Sequence, residues 1–225
     1  MSKPIASALA GIILITALFA LGLALGLSPF DKVRQSQTSQ NAFEAWLDQS
    51  PHNRKSFADF AAFLDREGVA EVVPVWQLTR VDGARKAGCN SSPFAVPPKE
   101  SWPKIIPALQ LEEARIKPAI GEVEVVSAYR QPDINRCASG ATRSRHLTFE
   151  ALDLRAISRP SNAQFFRRLC DIWREAGPAS KMGMGAYYDP KDNSFNPIGR
   201  FHVDASGYRT WGRDYSSDTS PCLQD

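Results

Sequence analysis

The chain begins with a long apolar run that is followed by a polar segment. Between Ile5 and Leu27 it has two hydroxyl residues and no charge. A helix needs about 20 apolar residues to cross a bilayer, whereas the apolar part of a cleaved signal peptide is shorter, about 7–15 residues. The run therefore predicts an uncleaved transmembrane anchor within residues 1–28, with a cleaved signal as the alternative. Residues 29–41 are polar and predict a tether.

Beyond the tether, apolar residues recur at helical and at strand spacings. Helices are predicted over 42–47, over 56–67 with Ser56 as the cap, over 109–116 up to Pro118, and over 161–176 with Ser161 as the cap. Strands are predicted over 72–79 at a sheet edge, over 122–128, over 151–154, and over 200–204 continuing into 208–211. The proline-rich stretch 88–107 is predicted to be irregular and pinned to the core by Phe94 and Trp102. This mixture without a βαβ rhythm predicts an α+β domain over 42–225.

Charge excludes one class of partner. The chain has 27 Lys and Arg residues against 24 Asp and Glu residues, a formal net charge of +3. A nucleic-acid-binding domain normally shows a strong, clustered excess of positive charge. We therefore expect no nucleic-acid partner.

Cysteine usage indicates the compartment. All four cysteines, Cys89, Cys137, Cys170 and Cys222, lie on the C-terminal side of the apolar run. An even number suits two disulfides in an oxidising compartment, and three pairings are open. Four buried free thiols are the alternative. We expect a single-pass protein of the cell membrane with its domain on the periplasmic or extracytoplasmic side.

The chain has three histidines, and two of them have neighbours that suit a metal site. His146 precedes Asp153 by seven residues, which is too far along one helix, but a turn followed by a strand brings the two together. In a strand over 200–204, His202 shares one face with Asp204 while apolar residues occupy the other. A core histidine held by hydrogen bonds is the alternative for His202. His52 lies in a polar turn and is expected at the surface.

Five blocks around these residues resemble, in order, the zinc D-Ala-D-Ala carboxypeptidases, a family with the hedgehog/D,D-peptidase fold. The blocks are Ser127-Ala-Tyr-Arg130 followed by Asn135, Ser144-x-His146-x4-Ala151-x-Asp153, Gly183-x-Gly185-x-Tyr187, His202-x-Asp204, and Arg209-x-Trp211. The resemblance covers residues 88–212. It implies a small antiparallel sheet with flanking helices.

The resemblance also implies chemistry. Zinc would be bound by His146, Asp153 and His202, and the substrate's terminal carboxylate by Arg130 and Ser144, with Tyr129 beside them. The implied substrate is a peptidoglycan stem peptide, and the implied reaction is D-Ala-D-Ala carboxypeptidase or endopeptidase cleavage. A zinc-containing cell-wall binding module that has lost catalysis is the alternative.

Two departures from the family pattern leave the mechanism open. Phe149 stands where the signature usually has Gly, so the turn must differ or its backbone must tolerate a side chain. Gly199 stands where several branches place the acid three residues before the last histidine. Asp204 is then a candidate catalytic base, or a residue that orients His202.

Overall fold

A computed structural model describes residues 38–82, 89, 91–158, 161–189 and 199–224. Within Phe43–Asp225, which forms a compact unit, helices pack on a five-stranded sheet, so the fold is α+β as predicted. The strands are β1 Val123–Ser127, β2 Ala151–Ala156, β3 Gly183–Ala186, β4 Arg200–Asp204 and β5 Arg209–Trp211. The described α-helices are α1 Gln40–Leu47, α2 Pro51–Arg66, α3 Ile106–Leu111, α4 Lys117–Ile120, α5 Pro132–Cys137 and α6 Asn162–Ala176.

The strand order is β1-β2-β4-β3-β5. The expected small sheet is present, with neighbouring strands antiparallel except β3 and β5, which are parallel. The predicted continuation of β4 into 208–211 is wrong, because the chain turns after Asp204 and re-enters at the far edge as β5. One row of cross-strand partners joins all five strands: Ser127, Asp153, His202, Gly185 and Trp211.

Strand alternation separates the core from this row. Leu154 and Phe201, which are partners on β2 and β4, are fully buried in the hydrophobic core, as is Val203. Helix α6 packs against β3 and contributes Phe165 and Leu169 to the same core. The predicted alternation over Arg200–Asp204 is therefore confirmed.

The predicted strand over 72–79 is wrong. Val75–Thr79 is a 3-10 helix that begins after Pro74, whose φ of −55° suits the start of a turn. It lies along the free edge of β1, where Gln77 Oε1 accepts from the Val125 amide at 2.8 Å and Arg80 donates to the Val125 carbonyl at 2.8 Å. Side chains thus satisfy the edge that a further strand would otherwise cover.

Two helix boundaries also differ from the sequence patterns. Helix α2 begins at Pro51, not near Ser56, because Ser50 accepts from the His52 and Asn53 amides and proline suits the first helical position. Pro118 does not end the helical stretch that starts at Ile106. A π turn over Glu112–Ile116 precedes the proline, and α4 then carries the chain to Ile120.

The stretch 88–107 is more regular than predicted. Its described part includes a 3-10 helix over Lys99–Ile105, which leads into α3. Phe94 and Trp102 are buried, as expected for residues that pin this segment to the core.

The four cysteines form two disulfides, Cys89–Cys137 and Cys170–Cys222. The alternative of free thiols is thereby excluded. The first bond fixes Cys89 to the end of α5, and the second fixes the C-terminal segment to α6.

The predicted anchor, residues 1–28, lies outside the described residues, as does the predicted tether up to residue 37. Among the helices of the described ranges, none has the length and apolar character needed to cross a membrane.

Candidate metal centre

A tight turn brings His146 and Asp153 together. Ser144 caps a 3-10 helix over Arg145–Thr148 and accepts from the His146 amide at 3.4 Å. Phe149 then takes a left-handed conformation, with φ 58° and ψ 42°, and the chain enters β2. This conformation is normally adopted by glycine, so Phe149 is a residue with a Cβ in a backbone conformation that such residues avoid. Its ring is fully buried, 5.8 Å from that of Phe60.

The side chains of His146, Asp153 and His202, here called the metal cluster, converge in the interior. All three residues are buried, and one ligand atom of each lies within 4.8 Å of the others. His146 Nε2 lies 3.2 Å from His202 Nδ1 and 3.2 Å from Asp153 Oδ2. His202 Nδ1 lies 3.1 Å from Asp153 Oδ1. His52 is exposed in α2 and has no part in this cluster.

Hydrogen bonds on the outer side of each imidazole fix which nitrogen faces the cluster. His146 Nδ1 lies 2.7 Å from the Ala128 carbonyl, and His202 Nε2 lies 3.1 Å from Asp204 Oδ2. Both partners are acceptors, so these nitrogens donate, and the inner nitrogens are left as lone pairs. Two lone pairs and a carboxylate that face one another can hold a cation between them. Two imidazoles and one carboxylate, oriented from behind, form a donor set that fits Zn²⁺.

The surroundings shift the pKa values of the three side chains in different directions. Burial lowers the pKa of His146, although the charge of Asp153 opposes this. Burial alone would raise the pKa of Asp153, but the charges of Arg200 and His146 hold it well below its usual value. For His202, hydrogen bonds with Asp153 and Asp204 outweigh burial and raise the pKa. Asp153 is therefore ionised over the whole neutral range.

Asp204 lies behind His202 and is fully buried. Besides His202, it pairs with Arg209, whose two terminal nitrogens lie 3.0 and 2.7 Å from its oxygens, and it accepts from the Ser206 amide at 2.8 Å. Burial would raise the pKa of Asp204, yet the hydrogen bond to His202 and the charges of His202 and Arg209 lower it strongly. Both its oxygens are thus engaged away from the centre of the cluster.

The two glycines before Tyr187 make room for this arrangement. A Cβ at Gly183 would lie 2.7 Å from Asp204 Oδ2 and 2.6 Å from an Arg209 nitrogen. A Cβ at Gly185 would lie 2.8 Å from the Trp211 ring and 2.9 Å from the His202 Cβ. The Gly-x-Gly pattern on β3 therefore admits the ion pair behind the cluster at one position and the indole beside it at the other.

Two arginines approach Asp153. Arg130 Nη2 lies 3.8 Å from Asp153 Oδ2, and its Nη1 donates to Asn135 Oδ1 at 3.3 Å. Arg200, whose role the sequence did not indicate, donates from Nη2 to Asp153 Oδ2 and from Nη1 to Asp82 at 2.5 Å. The shared strand face with His202 was a signal for Arg200, whereas nothing in the sequence pointed to Asp82.

The other residues expected to bind substrate, Ser144 and Tyr129, both contact the turn that carries His146 and Phe149. The Arg130 amide donates to the His146 carbonyl at 3.0 Å, which joins the end of the β1 segment to the turn that carries Ser144. Tyr129 is buried and its ring meets that of Phe149 edge-on at 6.4 Å. The contacts of Tyr129 are therefore with the core beneath the turn.

Aromatic side chains, which the sequence did not single out as lining residues, lie near the cluster. The Trp211 ring lies 5.0 Å from the His202 ring, and Tyr187 stands 6.1 Å from Tyr215. Burial and the charge of Asp153 raise the pKa of Tyr187, so its phenol stays protonated near neutral pH. Tyr215 is 63% exposed, so this group of aromatic side chains reaches the protein surface.

Comparison with known proteins gives one match. A family model described as peptidase M15 matches residues 76–188, half of the chain. The matched range contains Arg130, Ser144, His146 and Asp153 and ends before His202. Comparisons with curated proteins and with solved structures gave no match.

Proposed function

The chain belongs to the peptidase M15 family, and on this premise we propose that it is a zinc-dependent peptidase that hydrolyses D-amino-acid-containing stem peptides of peptidoglycan. Membership of this family supports metallopeptidase activity in general. The finer proposal is D-Ala-D-Ala carboxypeptidase activity, with zinc held by His146, Asp153 and His202. It is supported by the sequence resemblance described above and by the geometry of the metal cluster.

The observation that carries the proposal is the convergence of three oriented donors. The inner nitrogens of His146 and His202 lie 3.2 Å apart, and each lies within 3.2 Å of an Asp153 oxygen. When bound by such a donor set, zinc would lower the pKa of a bound water and polarise a carbonyl. The protein's part is to orient the donors, which the Ala128 carbonyl and Asp204 do from behind.

Arg130 is the proposed partner of the substrate's terminal carboxylate. Its side chain is 11% exposed, and its Nε is buried without a hydrogen-bond partner among the described residues. A buried guanidinium with unused donors favours a carboxylate ligand, which it can bind with two parallel hydrogen bonds. The charges of Arg130 and Arg200 balance those of Asp153 and Asp82, so a bound divalent cation makes the site positive and attracts an anionic terminus.

The contacts of Asp204 favour a positioning role over that of the catalytic base. A base must reach the attacking water within hydrogen-bond distance. Asp204 instead accepts from His202 Nε2, Arg209 and the Ser206 amide, and it is fully buried. We assign it the role of orienting His202 and holding its imidazole in one tautomer.

The test is release of D-alanine from a pentapeptide that ends in D-Ala-D-Ala, measured with the purified protein before and after chelation and after zinc is restored. We expect turnover that follows zinc content, at one zinc per chain. His146→Ala should lose both metal and activity. His52→Ala is the matched control, because it removes the exposed histidine and should change neither.

The alternative, a binding module that has lost catalysis, is favoured by Gly199 in place of an acid. It predicts one bound zinc and no turnover on any muropeptide, and that outcome would overturn the enzyme proposal. The variant Arg130→Gln distinguishes carboxypeptidase from endopeptidase activity. This variant should raise KM at least tenfold for a substrate with a free C-terminal carboxylate and leave cleavage of an amidated or crosslinked peptide nearly unchanged.

We also propose that residues 1–28 anchor the protein in the cell membrane, with the domain on the extracytoplasmic side. The apolar run supports the anchor, and the two disulfides support an oxidising compartment. Protease added to spheroplasts should digest the domain while a cytosolic marker survives. A domain that remains protected until lysis would contradict this orientation.

A further inference from the structure

Arg200 connects two carboxylates that lie far apart in the sequence. It is the first residue of β4 and precedes His202 by two positions, so both side chains project from one face of the strand. Its Nη1 donates to Asp82 and its Nη2 to Asp153. The side chains of Arg200, Asp82 and Asp153 are 19%, 13% and 4% exposed.

Asp82 is itself held in place. Its amide donates to the hydroxyl of Ser127 at 3.3 Å, and Ser127 is the cross-strand partner of Asp153 on β1. These contacts link the four residues next to the metal cluster. Strand pairing joins Ser127 to Asp153, and the guanidinium of Arg200 joins Asp153 to Asp82. A carboxylate bound in this way has little freedom to rotate.

We propose that Arg200, braced by Asp82, is a positioning residue that holds the Asp153 carboxylate in the orientation in which it meets both imidazoles. This inference rests on the proposed zinc site. The hydrogen bond from Arg200 Nη2 holds Asp153 Oδ2 on one side of the carboxylate, while Oδ1 lies 3.1 Å from His202 Nδ1. Hydrogen-bonded partners of this kind raise the affinity of a metal site by pre-orienting its ligands.

Charge acts in the opposite direction, and this makes the inference testable. A guanidinium beside a cation site repels the cation, so removal of Arg200 alone would unmask Asp82 and strengthen the attraction for zinc. The double variant Asp82→Asn with Arg200→Gln removes the pair and leaves the net charge unchanged. Any change in zinc affinity then reports the loss of the hydrogen bond that positions the Asp153 carboxylate.

The adjacent strands offer a matched control. Arg155 on β2 is the cross-strand partner of Arg200, and it forms an ion pair with Glu124 on β1. This pair is also largely buried, with side chains 13% and 19% exposed. The double variant Glu124→Gln with Arg155→Gln removes one positive and one negative charge from the same sheet and leaves the contact between Arg200 and Asp153 in place. Glu124 also pairs with Arg80, which loses that partner in the control.

The experiment measures zinc affinity of the full-length protein by competition with a chromophoric chelator, and records the visible spectrum of the Co²⁺-substituted form. We expect the Asp82/Arg200 double variant to bind zinc about 10–100-fold more weakly, with shifted cobalt bands. The Glu124/Arg155 control should stay within about twofold of wild type and keep its cobalt spectrum, as expected for a pair that does not orient Asp153.

Each outcome is decisive. Unchanged or tighter zinc binding by the Asp82/Arg200 variant would overturn the inference. A wild-type protein that binds no zinc at the metal cluster would instead overturn the proposed function. If the double variant fails to fold, as judged by circular dichroism, Arg200→Lys replaces it. Lysine keeps the charge but lacks the planar guanidinium that donates to the two carboxylates from two separate nitrogens, so weaker zinc binding supports the bracing role and unchanged binding refutes it.

Discussion

Phe149 combines an unfavourable backbone with a favourable side chain, and the balance can be measured. Its φ of 58° is one that L side chains avoid, while its ring is fully buried between the rings of Phe60 and Tyr129. Replacing Phe149 by Gly removes the strain together with the ring. Replacing it by Ala removes the ring and keeps the strain.

The magnitudes predict an order of stability. Truncation of a buried Phe to Ala costs about 3–5 kcal/mol. The left-handed conformation costs a residue with a Cβ about 1–2 kcal/mol, which Gly avoids. Gly has more freedom in the unfolded chain than Ala, and this offsets about 0.5–1 kcal/mol of that advantage. Phe149→Gly should therefore be more stable than Phe149→Ala by about 0.5–1 kcal/mol and less stable than wild type by about 3 kcal/mol.

Urea unfolding of the three proteins at one pH, with equal m-values, gives the free energies of unfolding. Ala58→Gly is the control for the sign. Ala58 is exposed in the middle of α2, where Gly should be less stable than Ala by about 1 kcal/mol. If Phe149→Gly is no more stable than Phe149→Ala, the left-handed backbone is not a cost in the folded protein and the reasoning fails.

Three further predictions follow from other parts of the structure. Burial raises the pKa of Glu112 from 4.5 to about 7. Between these two values the folded state holds a proton that the unfolded state has released. The free energy of unfolding should therefore fall by about 3 kcal/mol as pH rises from about 4.5 to 7. Glu112→Gln should abolish this dependence in urea unfolding, and a variant with the same pH profile as wild type would refute the assignment. Asp204→Asn should weaken zinc binding about tenfold by loosening His202, whereas a lower kcat with unchanged zinc affinity would restore the catalytic-base role. Replacement of Cys170 and Cys222 by Ser opens a loop with a sequence separation of 52 and should lower the free energy of unfolding by about 4 kcal/mol; a loss below about 1 kcal/mol would contradict the entropic argument.

Local signals in the sequence were sufficient for several elements that build the site. Alternation over Arg200–Asp204 assigned His202 to the polar face and Phe201 to the core, and the structure has both. The Ser161 cap and apolar stripe correctly predicted α6. These features depend on the spacing of neighbouring residues, which sequence displays directly.

Features that depend on distant residues could not be predicted in this way. The contact between Arg200 and Asp82 spans 118 positions, and neither residue has a local pattern that reports the other. Valines at 72, 73 and 75 favoured a strand, yet the edge of β1 is covered by a 3-10 helix because Gln77 and Arg80 satisfy its backbone. Local propensity loses to tertiary contacts at such positions.

The third ligand depends on the register of β4. The family model matches residues 76–188, so His202 lies beyond the range of that match. Its place in the cluster follows from pairing: β4 lies between β2 and β3, and His202 is opposite both Asp153 and Gly185. A slip of one residue would turn His202 into the core and expose Phe201, which is fully buried. The hydrophobic core therefore fixes the strand register, and that register brings the second imidazole to the first.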